Sequence, residues 1–183
     1  METTFQLQAV QKVIGVEETP NTHFLSRELA VGQEDATLIL ACCQTDANGA
    51  NGEKLPSGEG GVYFTLILKP ARALDMEKLS RALQNALGDT FSKIFELNVK
   101  YGAQNNVLVW DKPSRAYKKI ASVFAEQSAN AWLLSGVVGL NNRLNARTAT
   151  EWTTLQKIIR SETSKELFLD AVLDNFWKEY AFL

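Results

Sequence analysis

Thiols and imidazoles are scarce in this chain. Cys42 and Cys43 are the only thiols and His23 is the only imidazole in 183 residues. Thiol catalysis needs a base beside the sulfur, and His23 lies in a different segment. Adjacent strand residues point to opposite faces, so a Cys42–Cys43 bridge is disfavoured and both read as reduced, buried thiols. A single histidine and the absence of Cys-x-x-Cys exclude a histidine-rich metal site. Gly60-Gly61 feeds straight into Val62-Tyr63-Phe64-Thr65-Leu66-Ile67-Leu68, behind a polar loop from Asp46 to Gly60 that also holds Gly49, Gly52 and Gly58. Glycines let a backbone approach a ligand closely, and connections of about fifteen residues in compact domains are usually functional or mobile.

The surrounding pattern predicts the elements that must hold this loop. A strand is expected towards 10–16, then a turn at Thr19-Pro20-Asn21. Phe24, Leu25, Leu29 and Ala30 follow helical spacing, with Gly32 as the closing residue. Ala36 to Cys43 is almost wholly apolar, which fits a strand covered on both faces. Val62 to Leu68 is a strand stopped by Pro70. Asp75 to Leu87 carries one apolar stripe, with Asp75 as N-cap, Leu74 stapling onto Leu79 and Gly88 as C-terminal cap. Strands are expected at 107–110, 116–124 and 131–140, the last two joined by a hairpin-type connection through Glu126 to Asn130. Two helices close the chain. One lies near 149–160, with Trp152, Leu155, Ile158 and Ile159. The other spans 164–181, with Leu167, Phe168, Ala171, Val172, Phe176 and Tyr180 on one side and Thr163 and Glu166 as a capping box. This predicts an α+β fold, a mixed β-sheet with helices packed on it. Hairpin connections rule out a pure βαβ alternation, and no Gly-x-Gly-x-x-Gly follows a strand.

Length suits a single domain over 1–183, and a 45% hydrophobic share supports a real core. A net charge of −2 argues against a nucleic-acid surface. No signal peptide and no membrane-length apolar run appear, so the expected setting is cytoplasmic, with no membrane partner.

The order of motifs resembles the catalytic domain of biotin–protein ligases, within the biotin/lipoate protein ligase family, over roughly residues 16–183. Glu18-Thr19-Pro20-Asn21 stands where that family has an acidic-Ser-Thr-Asn turn. A strand ending in Gln matches Leu38 to Gln44. The Gly-Gly-x-Tyr-Phe-(Ser/Thr)-Leu strand matches Gly60 to Leu66, and Lys-Lys-(Leu/Ile)-Ala-Gly matches Lys118-Lys119-Ile120-Ala121-Ser122. Gly-Ile-Asn matches Gly139-Leu140-Asn141, and Lys-Trp-Pro-Asn-Asp matches Val109 to Pro113 loosely.

The resemblance implies a class II aminoacyl-tRNA-synthetase/biotin-ligase-like fold, with no DNA-binding domain in front and no C-terminal barrel. It implies condensation of biotin, or a related carboxylic acid, with ATP and Mg²⁺ to an acyl-adenylate, then transfer to a carrier-protein lysine. Lys119 falls on the catalytic lysine, which would neutralise charge between carboxylate and α-phosphate; a solvated strand lysine is the plain alternative. Gln44 falls on a glutamine that hydrogen-bonds the ureido ring. Thr19 and Asn21 would meet the biotin carboxylate end, though helix entry explains them as well. Trp110 would stack on adenine or sit in the core, and Asn141 would lie on the nucleotide side or in a turn. Gly60 and Gly61 would bring backbone to the ligand or serve a simple turn. The resemblance also implies a homodimer formed through exposed strand edges.

Three departures surround this one implied site. The family's phosphate-binding loop is arginine-rich, and here it reads Ala47-Asn48-Gly49-Ala50-Asn51-Gly52-Glu53-Lys54. The four arginine positions hold Asn48, Ala50, Asn51 and Glu53. Glycines at 49 and 52 keep the backbone free, but Lys54 is a point charge and no substitute for bidentate arginines. The Trp110 motif ends in Asp-Lys-Pro, and Ser122 replaces a glycine, which would crowd the ligand. Two functions therefore stand side by side: a biotin–protein ligase, and a catalytically degenerate member that binds a small ligand or a carrier protein.

Overall fold

The computed structural model describes residues 7, 9–48, 52–128, 130–143 and 151–183. Its strands are β1 (Lys12–Thr19), β2 (Thr37–Gln44), β3 (Gly61–Leu68), β4 (Val99–Tyr101), β5 (Asn106–Asp111), β6 (Ala116–Ser128) and β7 (Ala131–Gly139). Its helices are α1 (Thr22–Leu29), α2 (Met76–Asp89), α3 (Leu155–Ile159) and α4 (Lys165–Tyr180). The strands form one sheet in the order β1-β2-β3-β7-β6-β5-β4. Only β1 and β2 run parallel, across the α1 connection; the other neighbours are antiparallel. The α+β mixed sheet expected from the pattern is the observed fold.

Every residue of β3 is buried, because helices cover both faces of the central sheet. Val62, Phe64, Leu66 and Leu68 join the main core beneath α2 and α4, with Leu79, Leu83, Phe168, Val172 and Phe176. Ile67 turns the other way, to Ile39, Leu133 and α1. Tyr63 meets Ala41, Val137, Trp152 and two loop residues, Ala47 and Leu55. The sheet thus has one thick apolar side and one side shared between α1 and the 45–60 loop. That second side holds the polar groups.

Several expectations need correction. Cys42 is exposed and Cys43 half-buried, because β3 pairs with β2 only as far as Ala41. Gly88 does not end α2: the helix runs on into a π-helical turn, Thr90–Ile94. A Cβ there would lie 2.4 Å from the Tyr101 hydroxyl, so the glycine serves a close approach. The cap of α4 is Ser164, one residue later than Thr163, accepting from the Leu167 N–H. Leu167 itself is 72% exposed, and Leu169 and Leu173 enter the core instead. The expected helix near 149–160 is shorter. Residues 149 and 150 lie outside the described residues, Trp152 forms a parallel bridge to Lys119, and α3 starts at Leu155 behind the Thr154 cap. The short edge strand β4 carries no alternation and went unread. Among the described residues, no helix is long and apolar enough to cross a membrane.

Candidate functional site

The polar face of the sheet holds a narrow cleft, about 20 Å³ in volume, between the N-terminus of α1, β2, β6 and β7. Its polar lining comes from Asn21, Thr22, His23, Gln44, Asn48, Ser122 and Ser135, and Leu55, Val123, Phe124 and Val137 supply apolar wall. Asn21 ends the turn after β1, and its Oδ1 accepts from the His23 N–H at 2.8 Å as the cap of α1. Thr19 is buried opposite Gln44 in the β1–β2 register, behind the lining.

Gln44 is 2% exposed. Its Oε1 accepts from the Thr22 N–H at 2.7 Å, so the start of α1 fixes the amide. Its Nε2 is buried with no partner. An unmet buried donor costs about 1–3 kcal/mol, so it marks where an acceptor is needed.

Lys119 reaches the same face through a β-bulge. Val107 pairs with Ala121 but Leu108 pairs with Lys119, so Ile120 is the extra residue on β6. Unbroken alternation from Ser122 would turn Ile120 into the cleft and Lys119 into the core. With the bulge, Ile120 joins the core under α2 and Lys119 faces outward. Its ammonium lies 3.8 Å from Glu53 Oε1 and 5.8 Å from the centre of the Trp152 ring. Glu53 stands at one of the positions where the resembling family has arginine, and it meets the one lysine such a site would use.

The loop is folded back on itself. Asn48 and Lys54 form an antiparallel bridge, Leu55 N–H donates to Ala47 C=O at 2.9 Å, and Gly58 N–H donates to Gln44 C=O at 3.1 Å. Lys54 pairs with Asp46, whose carboxyl it holds below the usual range, and does not turn toward Lys119. Gly52 is left-handed, with φ +75°, and Gly49 lies outside the described residues.

The remaining expected residues do not converge here. Gly60, at φ +100°, requires its glycine for the turn, and its carbonyl accepts from both Leu140 and Asn141 N–H. Gly61 makes room for Tyr63: a Cβ would sit 2.3 Å from that ring. The Asn141 side chain accepts from the Arg143 N–H. Trp110 is 37% exposed, stacks edge-on against Tyr117, and lines a separate groove with Phe95, Lys112, Lys157 and Arg160. Among the described residues, no group of three or more His, Cys, Asp or Glu is placed to hold a metal ion.

Sequence reading missed the floor of the cleft. His23 Nδ1 lies 2.8 Å from Ser135 Oγ and its Nε2 lies 3.0 Å from Glu126 Oε2. Arg27 grips Glu126 through two nitrogens. Ser135 reaches on to Thr65, which donates to Thr22. Burial lowers the His23 pKa from its ordinary 6.5, against the pull of Glu126, so the imidazole is neutral at neutral pH. Arg27 and then His23 hold the Glu126 carboxyl below its ordinary 4.5, despite burial. The unfolded chain therefore takes up a proton below pH 6.5 that the folded chain resists. Stability from His23 is fully present above that pH and is lost as pH falls through the lower folded value; that of Glu126 is lost only below 4.5. Denaturation midpoints at pH 7.5 and about 5.5 should differ in the native chain and converge in His23→Gln.

No family model matches the sequence. The fold is that of the biotin/lipoate protein ligase catalytic domain. A biotin protein ligase of Aquifex aeolicus, solved in complex with biotin and ATP, superposes with a TM-score of 0.81 at 23% identity, covering 93% of this chain and 71% of that one. The Leishmania major biotin protein ligase in complex with biotinyl-5-AMP gives 0.75 at 15% identity, over 91% and 74%. The bipartite lipoate protein ligase of Thermoplasma acidophilum gives 0.64 at 13%, over 94% and 84%.

Proposed function

From the fold of biotin and lipoate protein ligases as premise, we propose that this chain is a binding module that holds biotin or a related small carboxylic acid without activating it. The acid would lie along β6, its carboxylate towards Lys119 and its far end under the Gln44 amide. From Lys119 to Phe124 there are four strand steps once the bulged Ile120 is set aside, roughly 13 Å at about 3.3 Å each. That length suits a ring on a short acyl chain.

The observation that carries the non-catalytic half is the Glu53–Lys119 pair at 3.8 Å. Adenylation brings a carboxylate and a triphosphate together, which needs positive charge at their meeting point. Here Lys119 is offset by Glu53 and Lys54 is held by Asp46. ATP with Mg²⁺ does not fit this donor set. One observation favours the rival reading, an acyl-adenylate-forming ligase acting on a carrier lysine: the bulge delivers Lys119 to the cleft face.

Calorimetric titration with biotin, with ATP-Mg²⁺ and with a non-hydrolysable biotinyl-adenylate analogue separates the two, together with a pyrophosphate-release assay. Binding of the acid, no heat from ATP and no pyrophosphate are expected. Pyrophosphate release that disappears in Lys119→Ala would establish the ligase instead. No heat from any of the three would sink both readings.

A further inference from the structure

A second hollow, of about 630 Å³, lies apart from the cleft and shares no lining residue with it. The turn that follows the π-helical segment, the end of β5 and the end of α3 form its walls. Phe95, Leu97, Ile158 and Ile159 are half-buried and pack against the main core, which fixes an apolar wall. Trp110 stands beside them, 37% exposed. Its backbone N–H donates to Asn98 C=O at 3.0 Å and its ring meets Tyr117 edge-on. The Tyr117 hydroxyl donates in turn to Asn98 Oδ1 at 2.9 Å, so the indole is presented in a set pose.

Charge in this groove runs against that of the chain. Lys112, Lys157 and Arg160 line it with a single acid, Glu96, whereas the whole chain carries −2. Lys157 lies 3.7 Å from the buried Asp111 and is partly offset by it. Lys112 and Arg160 enter no ion pair among the described residues. Every polar side chain lining the groove is exposed. Small-ligand pockets fix their occupant with a few precisely placed polar groups, and none is buried here. Half-buried apolar residues with exposed charges around them have the anatomy of a docking surface.

We propose that this groove docks an acidic peptide segment of a partner protein. One aromatic or large aliphatic side chain of the segment seats against Trp110 and Ile158, and the acidic residues flanking it answer Lys112 and Arg160. Because Trp110 is already held by its neighbours, little side-chain freedom is lost on docking. The inference stands apart from the acid-binding reading and uses none of its residues.

The probe is a fluorescein-labelled synthetic peptide with a central Phe-Leu pair flanked by Asp and Glu. Matched peptides carry Lys flanks or a central Ala pair, and all are titrated by anisotropy. The acidic peptide should bind the native chain about tenfold or more tightly than either matched peptide. Trp110→Ala, and Lys112→Glu combined with Arg160→Asn, should each weaken it by about tenfold or more. Arg160 is left-handed, at φ 59°, which Asn tolerates, so that variant keeps the end of α3. Arg81→Gln, on α2, should bind within about twofold of the native chain. Saturating biotin should leave peptide affinity unchanged. Equal affinity for the acidic and lysine-flanked peptides, undiminished binding in the combined variant, displacement by biotin, or free indoleacetate binding as tightly as the peptide would each overturn the inference. So would binding of none of the peptides, and that result would leave the acid-binding reading untouched.

Discussion

Glu53→Gln is expected to tighten binding of a small carboxylic acid by tenfold or more. Glu53 lies 3.8 Å from Lys119, and the two side chains are only 29% and 20% exposed. A ligand carboxylate reaching Lys119 must therefore approach Glu53. Two like charges about 5 Å apart repel by roughly 3 kcal/mol at an effective dielectric near 20, and by less than about 1 kcal/mol in bulk water. Partial exposure places the site between these limits. About 1.4 kcal/mol already changes affinity tenfold. The pair itself contributes little to stability, since exposed and half-exposed ion pairs are worth about 0–1 kcal/mol. The variant should therefore fold with an unchanged midpoint. Glu59→Gln is the control: Glu59 pairs with Arg143 at the surface, both 75% exposed, and its loss should leave affinity within twofold. Calorimetry at two salt concentrations reads both effects, and the gain in Glu53→Gln should shrink in high salt. An unchanged affinity would show that Glu53 does not oppose a carboxylate at Lys119.

The second large effect is on stability. Gly136→Ala should cost about 3 kcal/mol, at the upper end of what overpacking a core does. A Cβ at Gly136 would lie 2.4 Å from Cζ of Phe64. Phe64 is the residue directly opposite on β3 and is fully buried under α2 and α4. Neither strand can shift alone, because each is paired on both sides. Gly32→Ala meets nothing within 4 Å and should change stability by less than about 0.5 kcal/mol. Chemical denaturation of both variants checks the contrast, and Phe64→Leu in the Gly136→Ala background should recover part of the loss. A fully stable Gly136→Ala would mean that β3 and β7 are less tightly packed than described.

The sheet was legible where one local rule decides. β2, β3 and β7 read as strands because their apolar runs answer to burial on both faces. Asp75 was legible as a cap because its partner, the Lys78 N–H, is three residues away. The His23 relay was not legible, since its partners lie 103 and 112 residues along the chain. Gly88 misled for a related reason: Tyr101 lies where its Cβ would be, and the helix does not end there; Tyr63 lies in the same way over Gly61. Gln44 and Asn21 could be named from motif order and do line the cleft. Trp110 could be named in the same way and does not, because its motif matched only loosely and its strand end lies towards another groove. The Glu53–Lys119 pairing combined both situations: the charge change was visible in the sequence, the contact was not.

The bulge at Ile120 has a consequence for chains related to this one by insertion or deletion. Lys119 owes its side of the sheet to the number of residues before Ala121, and no property of the lysine enters. Removing Ile120 would restore regular pairing and leave Lys119 on the cleft face, at the expense of one buried isoleucine. Adding a residue beside Ile120 and keeping one bulged residue would turn the lysine inward and erase the site, with every named side chain still present. A lineage could therefore lose the function of this lysine by a single codon insertion without altering the lysine itself, and ungapped comparison of β6 would not reveal the loss.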